Sequence, residues 1–161
     1  CLKKFTLKTM KLAEALIIRS DLQQKLYSLQ SRLSKNTTVQ EGNEPTEDPN
    51  LLLKEILAVH ELLHELILKI HRTNADTVLN DGRNLLMVLN ERDKLLSLHK
   101  LLNNTISQAT DKPDRYSVRE IKWETVIDVA DYQKQADDIA KKVREINILI
   151  QASNWQVDLI E

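Results

Sequence analysis

The sequence predicts a mainly α-helical protein of four long helices in antiparallel, coiled-coil-like hairpins, accompanied by a small two-stranded β element. Three observations favour this fold. The 161 residues include 2 Gly and 3 Pro, which provide little of the turn chemistry that an all-β protein needs. Aromatic residues make up 4% of the chain, so the core must be aliphatic. Leucine and isoleucine recur every three or four residues over long stretches, as in the seam of a coiled coil.

The first helix is predicted from Leu12 to about Ser34. Its seam has a mean spacing of 3.5 residues, and Arg19 stands in it where an aliphatic residue is expected. The polar stretch that follows predicts a loop, within which residues 37–40 are expected to form one strand of the β element. The seam positions are Leu12, Ala15, Arg19, Leu22, Leu26, Leu29 and Leu33.

The second helix has a well-defined predicted start, with Asp48 as the N-cap and Pro49 at the first helical position. It carries two apolar or nearly apolar stripes, which indicates contact with two neighbours. We therefore expect self-association, most simply as a symmetric dimer or a higher closed oligomer. The first stripe contains Leu52, Ile56, Val59, Leu63, Leu66 and Ile70, and the second contains Leu57, His60, His64, Ile67 and His71.

The third helix is predicted from about Arg83 to Ala109, and its seam is interrupted by a charged residue, Arg92. Residues 121–129 alternate between apolar and polar side chains, which predicts a half-buried strand. This strand would pair with residues 37–40 or with another subunit. The fourth helix then begins at Asp128 as N-cap. Its seam is Tyr132, Ala136, Ile139, Val143, Ile146 and Ile150.

The stretch His60-Glu61-Leu62-Leu63-His64 spells the short zinc-protease signature, in which two histidines bind the metal and the glutamate is a general base. Such a site needs a third protein ligand. Glu91 stands at a tolerable distance for one zincin arrangement, as any glutamate of the third helix would. The two histidines also fit a half-buried stripe beside the seam. We interpret the match to this signature as coincidence. A zinc-dependent hydrolase is kept as the alternative function.

Several polar residues stand where packing would favour other side chains, in helix seams and at helix junctions. We take them as the candidate binding site for a small anionic molecule or a peptide carboxylate. The structural alternative is a buried ion pair that sets helix register, with Asp21 or Asp93 as the carboxylate. No nucleophile–base pair or glycine-rich phosphate loop accompanies these groups, so we predict no catalytic residue and no cofactor. The candidates are Arg19, Asn74, Arg92, Asp93 and Arg115.

Charge and hydropathy restrict the partners. The net charge is −1, with 23 basic and 24 acidic residues well mixed, which does not favour nucleic-acid binding. No apolar run approaches the ~18 residues of a membrane span. The single cysteine, Cys1, predicts no disulfide within the chain. We expect residues 1–9 to be a non-native or disordered extension, residues 10–161 to form one helical domain, and the protein to be cytoplasmic.

From Met10 onward the sequence resembles a family of short bacterial proteins that are often labelled septicolysin-like. The blocks that carry this resemblance include "MKLAEALIIRSDLQQKL", "VQEGNEPTEDP", "DGRNLLMVLNERD" and "YQKQADDIAKKVRE". The resemblance implies no established activity. The label implies a pore-forming toxin, whereas this sequence has no membrane-length apolar segment. Together with the two stripes of the second helix, these observations predict a non-catalytic, self-associating interaction or scaffold protein.

Overall fold

The computed structural model describes residues 9–111 and 124–160, and it confirms the mainly α-helical class. The first and third helices lie within two residues of their predicted bounds, and the second and fourth begin where the sequence predicts. The four helices are α1 (Leu12–Lys35), α2 (Pro49–Asp76), α3 (Leu85–Thr110) and α4 (Val129–Gln156).

The chain divides into two compact units. The first contains Cys1–Asn84 and Ala152–Glu161, and the second contains Leu85–Gln151. The first unit therefore holds α1, α2 and the last turn of α4, whereas the second holds α3 and the rest of α4. This division does not test the single domain expected over residues 10–161, which stays a prediction, and residues 1–8 lie outside the described part of the chain.

An antiparallel hairpin of α1 and α2 forms the core of the first unit. The α1 seam meets the first stripe of α2, as the sequence predicts, because the same 3.5-residue spacing on both helices keeps the two rows opposed. Full burial of one such side chain contributes about 1.5–3 kcal/mol. The central cluster contains the buried Leu29, Leu52, Ile56 and Val59, with the partly buried Leu22, Leu26 and Leu33 packed against it.

The connection between α1 and α2 is an irregular loop, so the strand predicted at residues 37–40 is wrong. The side chain of Asn36 links the end of α1 to this loop. Asn36 is buried; its Nδ2 donates to the carbonyl of Arg32 at 2.9 Å, and its Oδ1 accepts from the backbone N–H of Glu47 at 3.0 Å. The Arg32 guanidinium donates to both carboxylate oxygens of Glu47 and holds the pKa of that carboxyl below its ordinary value.

Residues near both ends of the chain meet in the first unit. The N–H of Leu12 donates to the carbonyl of Val157 at 3.0 Å, and the N–H of Leu159 donates to the carbonyl of Met10 at 2.8 Å. The fully buried Thr73 of α2 accepts a hydrogen bond from the N–H of Ile160 through its Oγ1 at 3.0 Å. These bonds attach the C-terminal segment to the start of α1 and to the end of α2.

A tight turn joins α2 to α3. The N–H of Leu79 bonds to the carbonyl of Arg83 at 2.8 Å, and Gly82 adopts a φ of +83°, a conformation that L residues with a Cβ rarely take. Asp81 accepts hydrogen bonds from the Arg83 side chain and backbone, which hold the pKa of its carboxyl below its ordinary value. The polar residues at this junction therefore serve the turn.

In the second unit, α3 buries Leu85 and Val88 at its start. The α4 seam is confirmed, since Ala136, Ile146 and Ile150 are buried and its other members are half-buried. The predicted N-cap is also confirmed, because Asp128 Oδ1 accepts from the N–H of Asp131 at 3.1 Å.

The strand predicted at residues 121–129 is wrong where it can be compared. Residues 124–128 have no strand partner, Val129 already belongs to α4, and residues 121–123 lie outside the described range. Thr125 instead bonds through its hydroxyl to the carbonyl of Ala109 at the end of α3, at 3.0 Å. This short segment is therefore an approach to the N-terminus of α4, which Asp128 caps.

Candidate functional site

Arg19 lies half-buried in the α1 seam, as its position predicts. Its Nε is buried and has no hydrogen-bond partner among the residues that the structure describes. A pair with Asp93, which belongs to the second unit, stays a prediction, whereas the predicted pair with Asp21 is wrong. The physical reason is positional: Asp21 lies two residues further on, about 200° around the helix from Arg19, and points away from it.

Arg92 does have a carboxylate partner, and it is the predicted one. Its Nη2 lies 2.9 Å from Asp93 Oδ1, with the side chains 32% and 66% exposed respectively. The pair joins two successive residues of one helix, so it does not set the register between helices. It also neutralises much of the charge that Arg92 would present to an anion.

The remaining candidates are Asn74 and Arg115. Asn74 is half-buried near the end of α2, and Arg115 lies outside the described residues. Arg19 and Asn74 belong to the first unit, and Arg92 and Asp93 belong to the second. Binding of a small anion by these residues stays a prediction.

One groove lies between the end of α3 and the approach to α4. Among the described residues, its lining includes three carboxylates and no arginine or lysine, which does not favour the anionic ligand that the sequence suggested. The lining residues are Gln108, Ala109, Thr110, Asp111, Glu124, Thr125, Val126, Ile127, Asp128 and Val129.

The zinc-protease spelling lies on the exposed side of α2. The imidazole rings of His60 and His64 stack one turn apart, with their centroids 5.0 Å apart and their planes inclined by 14°. Glu61 beside them is exposed. Within residues 9–111 and 124–160, no group of three or more His, Cys, Asp or Glu side chains could hold a metal ion. The described residues thus supply two ligands where a zinc site of this class needs three.

We expect purified protein to carry far less than one zinc per chain, and the substitution His64→Ala to leave its metal content unchanged. The reason is that two imidazoles on one exposed helix face bind zinc weakly without a third ligand. Elemental analysis of protein purified without added metal measures this directly. Stoichiometric zinc that disappears in the His64→Ala protein would instead support the hydrolase.

The second stripe of α2 is solvent-exposed over most of its length. We call it the outer stripe and include Leu53, which extends the same 3.5-residue repeat toward the start of the helix. Leu53 is 46% exposed, Leu57 is 61% exposed, and all three histidines are exposed, whereas Ile67 is half-buried. The outer stripe consists of Leu53, Leu57, His60, His64, Ile67 and His71.

Sequence reasoning found this stripe and expected a neighbour against it. Lys54 and Glu61 lie on the outer face of α2, and their spacing of seven residues places both along the same edge of this stripe. None of the described helices is long and apolar enough to cross a membrane.

These features define a helical-hairpin protein. The chain belongs to the family described as "Family of unknown function (DUF6847)", which matches residues 19–159. It is also similar to a solved structure, described as that of a functionally unknown conserved protein from Corynebacterium diphtheriae. The two share 36% identity and a TM-score of 0.88, over 95% of this chain and 100% of the other. No curated protein matches. Neither match is described as septicolysin-like, and that resemblance stays a prediction.

Proposed function

We propose that this protein is a non-catalytic interaction or scaffold protein that self-associates through the outer stripe of α2. The observation that carries the proposal is the exposure of a heptad-spaced row on a helix whose other row already packs on α1. A helix with one apolar row is satisfied by one neighbour, and a helix with two rows needs a second.

The chemistry of the outer stripe suits a protein partner. Aliphatic side chains and imidazoles can be buried against another helix, and an imidazole can still bond outward to water from such a contact. Contiguous exposed apolar surface on a folded protein marks an interaction site more often than isolated apolar residues do. The hydrolase has no comparable support, because its third ligand is missing among the described residues.

Two further predictions from the sequence are independent of this proposal. The cytoplasmic location is one. Binding of a small anion by Arg19 and its companion candidates is the other, since Arg92 is already paired with Asp93. Neither is needed for self-association.

We expect the wild-type protein to have an apparent mass well above 18.6 kDa in light scattering, falling toward that value on dilution. The substitution Leu57→Asp should shift the protein to monomer, because it places a carboxylate where apolar surface is buried. Leu62→Asp is the matched control: Leu62 is 57% exposed on the same helix, on the side away from the outer stripe. It should associate as the wild type does.

A wild-type protein that remains a monomer at high concentration would reject self-association altogether. If both variants associate as the wild type does, then self-association uses a surface other than the outer stripe.

A further inference from the structure

We infer that the partner on the outer stripe is a second copy of the same helix, running antiparallel about a two-fold axis with Leu57 opposite the partner's His60. This inference rests on the proposed function and adds to it the orientation and the register. Its basis is the charge at the edge of the stripe.

Lys54 and Glu61 border the outer stripe on the side away from α1. Both side chains are exposed, and neither has a hydrogen bond or an ion pair with any described residue. By contrast, Glu55 on the opposite edge of α2 is already paired with Lys25 of α1, at 2.8 Å. The free charges of opposite sign therefore lie on the edge that a second helix on the stripe would meet.

A two-fold axis perpendicular to two antiparallel helices brings identical edges together, so the edge with Lys54 meets the same edge of the other copy. When Leu57 lies opposite the partner's His60, Lys54 comes within about half a helical turn of the partner's Glu61. The two-fold symmetry repeats this contact, so that two ion pairs form. The same register places Leu53 opposite the partner's His64, so the imidazoles of His60 and His64 each face a leucine.

The neighbouring registers lack this complementarity. A shift of seven residues in one direction brings Glu61 near the partner's Glu61 and His60 opposite the partner's His64. A shift in the other direction brings Lys54 near the partner's Lys54. A parallel pair places each histidine opposite its own copy, and it puts the charged edge against the apolar residues that face α1. Like charges across a helical contact disfavour association, so a single register remains.

Charge reversal tests this register. Lys54→Glu places like charges at both contacts, as does Glu61→Lys. Each variant should raise the dissociation constant about ten-fold at low salt, where ion pairs contribute most. The double variant carrying both changes exchanges the two charges and should associate as the wild type does. Glu44→Lys, with the same charge change in the exposed loop between α1 and α2, is the control and should change little.

Mixing provides the sharper measurement. A Lys54→Glu chain has an acidic edge and a Glu61→Lys chain has a basic edge, so when they bind each other in the inferred register both ion pairs are restored. Sedimentation velocity of the equimolar mixture should therefore show more association than either variant alone shows.

If the wild type associates and both single reversals associate equally well, the register is wrong while self-association stands. If Glu61→Lys weakens association but Lys54→Glu does not, a different register or partner surface is in use. A monomeric wild type removes the proposed function and this inference together. A monomer that is destabilised by Leu57→Asp would show that the stripe is covered by another part of the same chain.

Discussion

The substitution Leu63→Ala is expected to lower the free energy of unfolding by about 3 kcal/mol, whereas Leu62→Ala changes it by less than about 0.5 kcal/mol. Leu63 is 5% exposed and Leu62 is 57% exposed, although the two are neighbours in α2. Truncation of a buried leucine removes its burial free energy and leaves a cavity, and truncation of an exposed leucine does neither. Both leucines have similar helix propensity, so the comparison isolates burial.

Urea unfolding at one fixed protein concentration measures the difference, since dilution also changes the stability of an associating protein. The corresponding fall in melting temperature for Leu63→Ala is roughly 6–12 °C. Equal effects of the two substitutions would contradict the packing of α1 on α2, because adjacent residues differ by about 100° around a helix. A larger effect of Leu62→Ala would mean that α2 turns a different face to α1.

The sequence was sufficient to predict the helices and the face that α2 turns toward α1. The reason is that these features depend on local chemistry: the spacing of leucines, and the caps formed by Asp48 and Asp128. Asp48 accepts from the N–H of Asn50 at 2.8 Å, as an N-cap should. Such signals lie within a few residues of the structure that they specify.

Features that depend on distant residues were not predictable. Thr73 accepts a hydrogen bond from Ile160, 87 positions further along the chain, and no local pattern marks either residue. The apolar–polar alternation of residues 121–129 indicated a strand, yet residues 124–128 have no strand partner and Asp128 instead caps α4. The alternation that indicates a strand was therefore overridden by the Asp128 cap, which begins a helix.

The candidate site could also be predicted only as far as local sequence specifies it. Periodicity identified the outer stripe and placed Arg19 in the α1 seam, because both follow from position on a helix. It could not identify a partner for Arg19, since that depends on which side chains come near it in the folded chain. The expectation of an ion pair rested on the cost of a buried unpaired charge, and the structure shows a half-buried arginine whose Nε has no described partner.

Replacement of that arginine is expected to stabilise the protein. The substitution Arg19→Leu should raise the free energy of unfolding by about 1–3 kcal/mol, because a buried donor without a partner carries a desolvation penalty of that size. Leucine also continues the heptad row of α1 and replaces the aliphatic part of the arginine side chain in the contact with α2. Urea unfolding of the two proteins under identical conditions measures the change.

Arg32→Leu is the matched control, with the same substitution on the same helix. The Arg32 guanidinium bonds to Glu47 and is 45% exposed at the side-chain level, so its removal should give no gain and a small loss. A loss of stability in Arg19→Leu would contradict the prediction, since it would mean that the Arg19 guanidinium has a stabilising partner in the folded protein. If that loss appears only at concentrations where the protein associates, the partner belongs to a second chain, and Arg19 is then part of the interface.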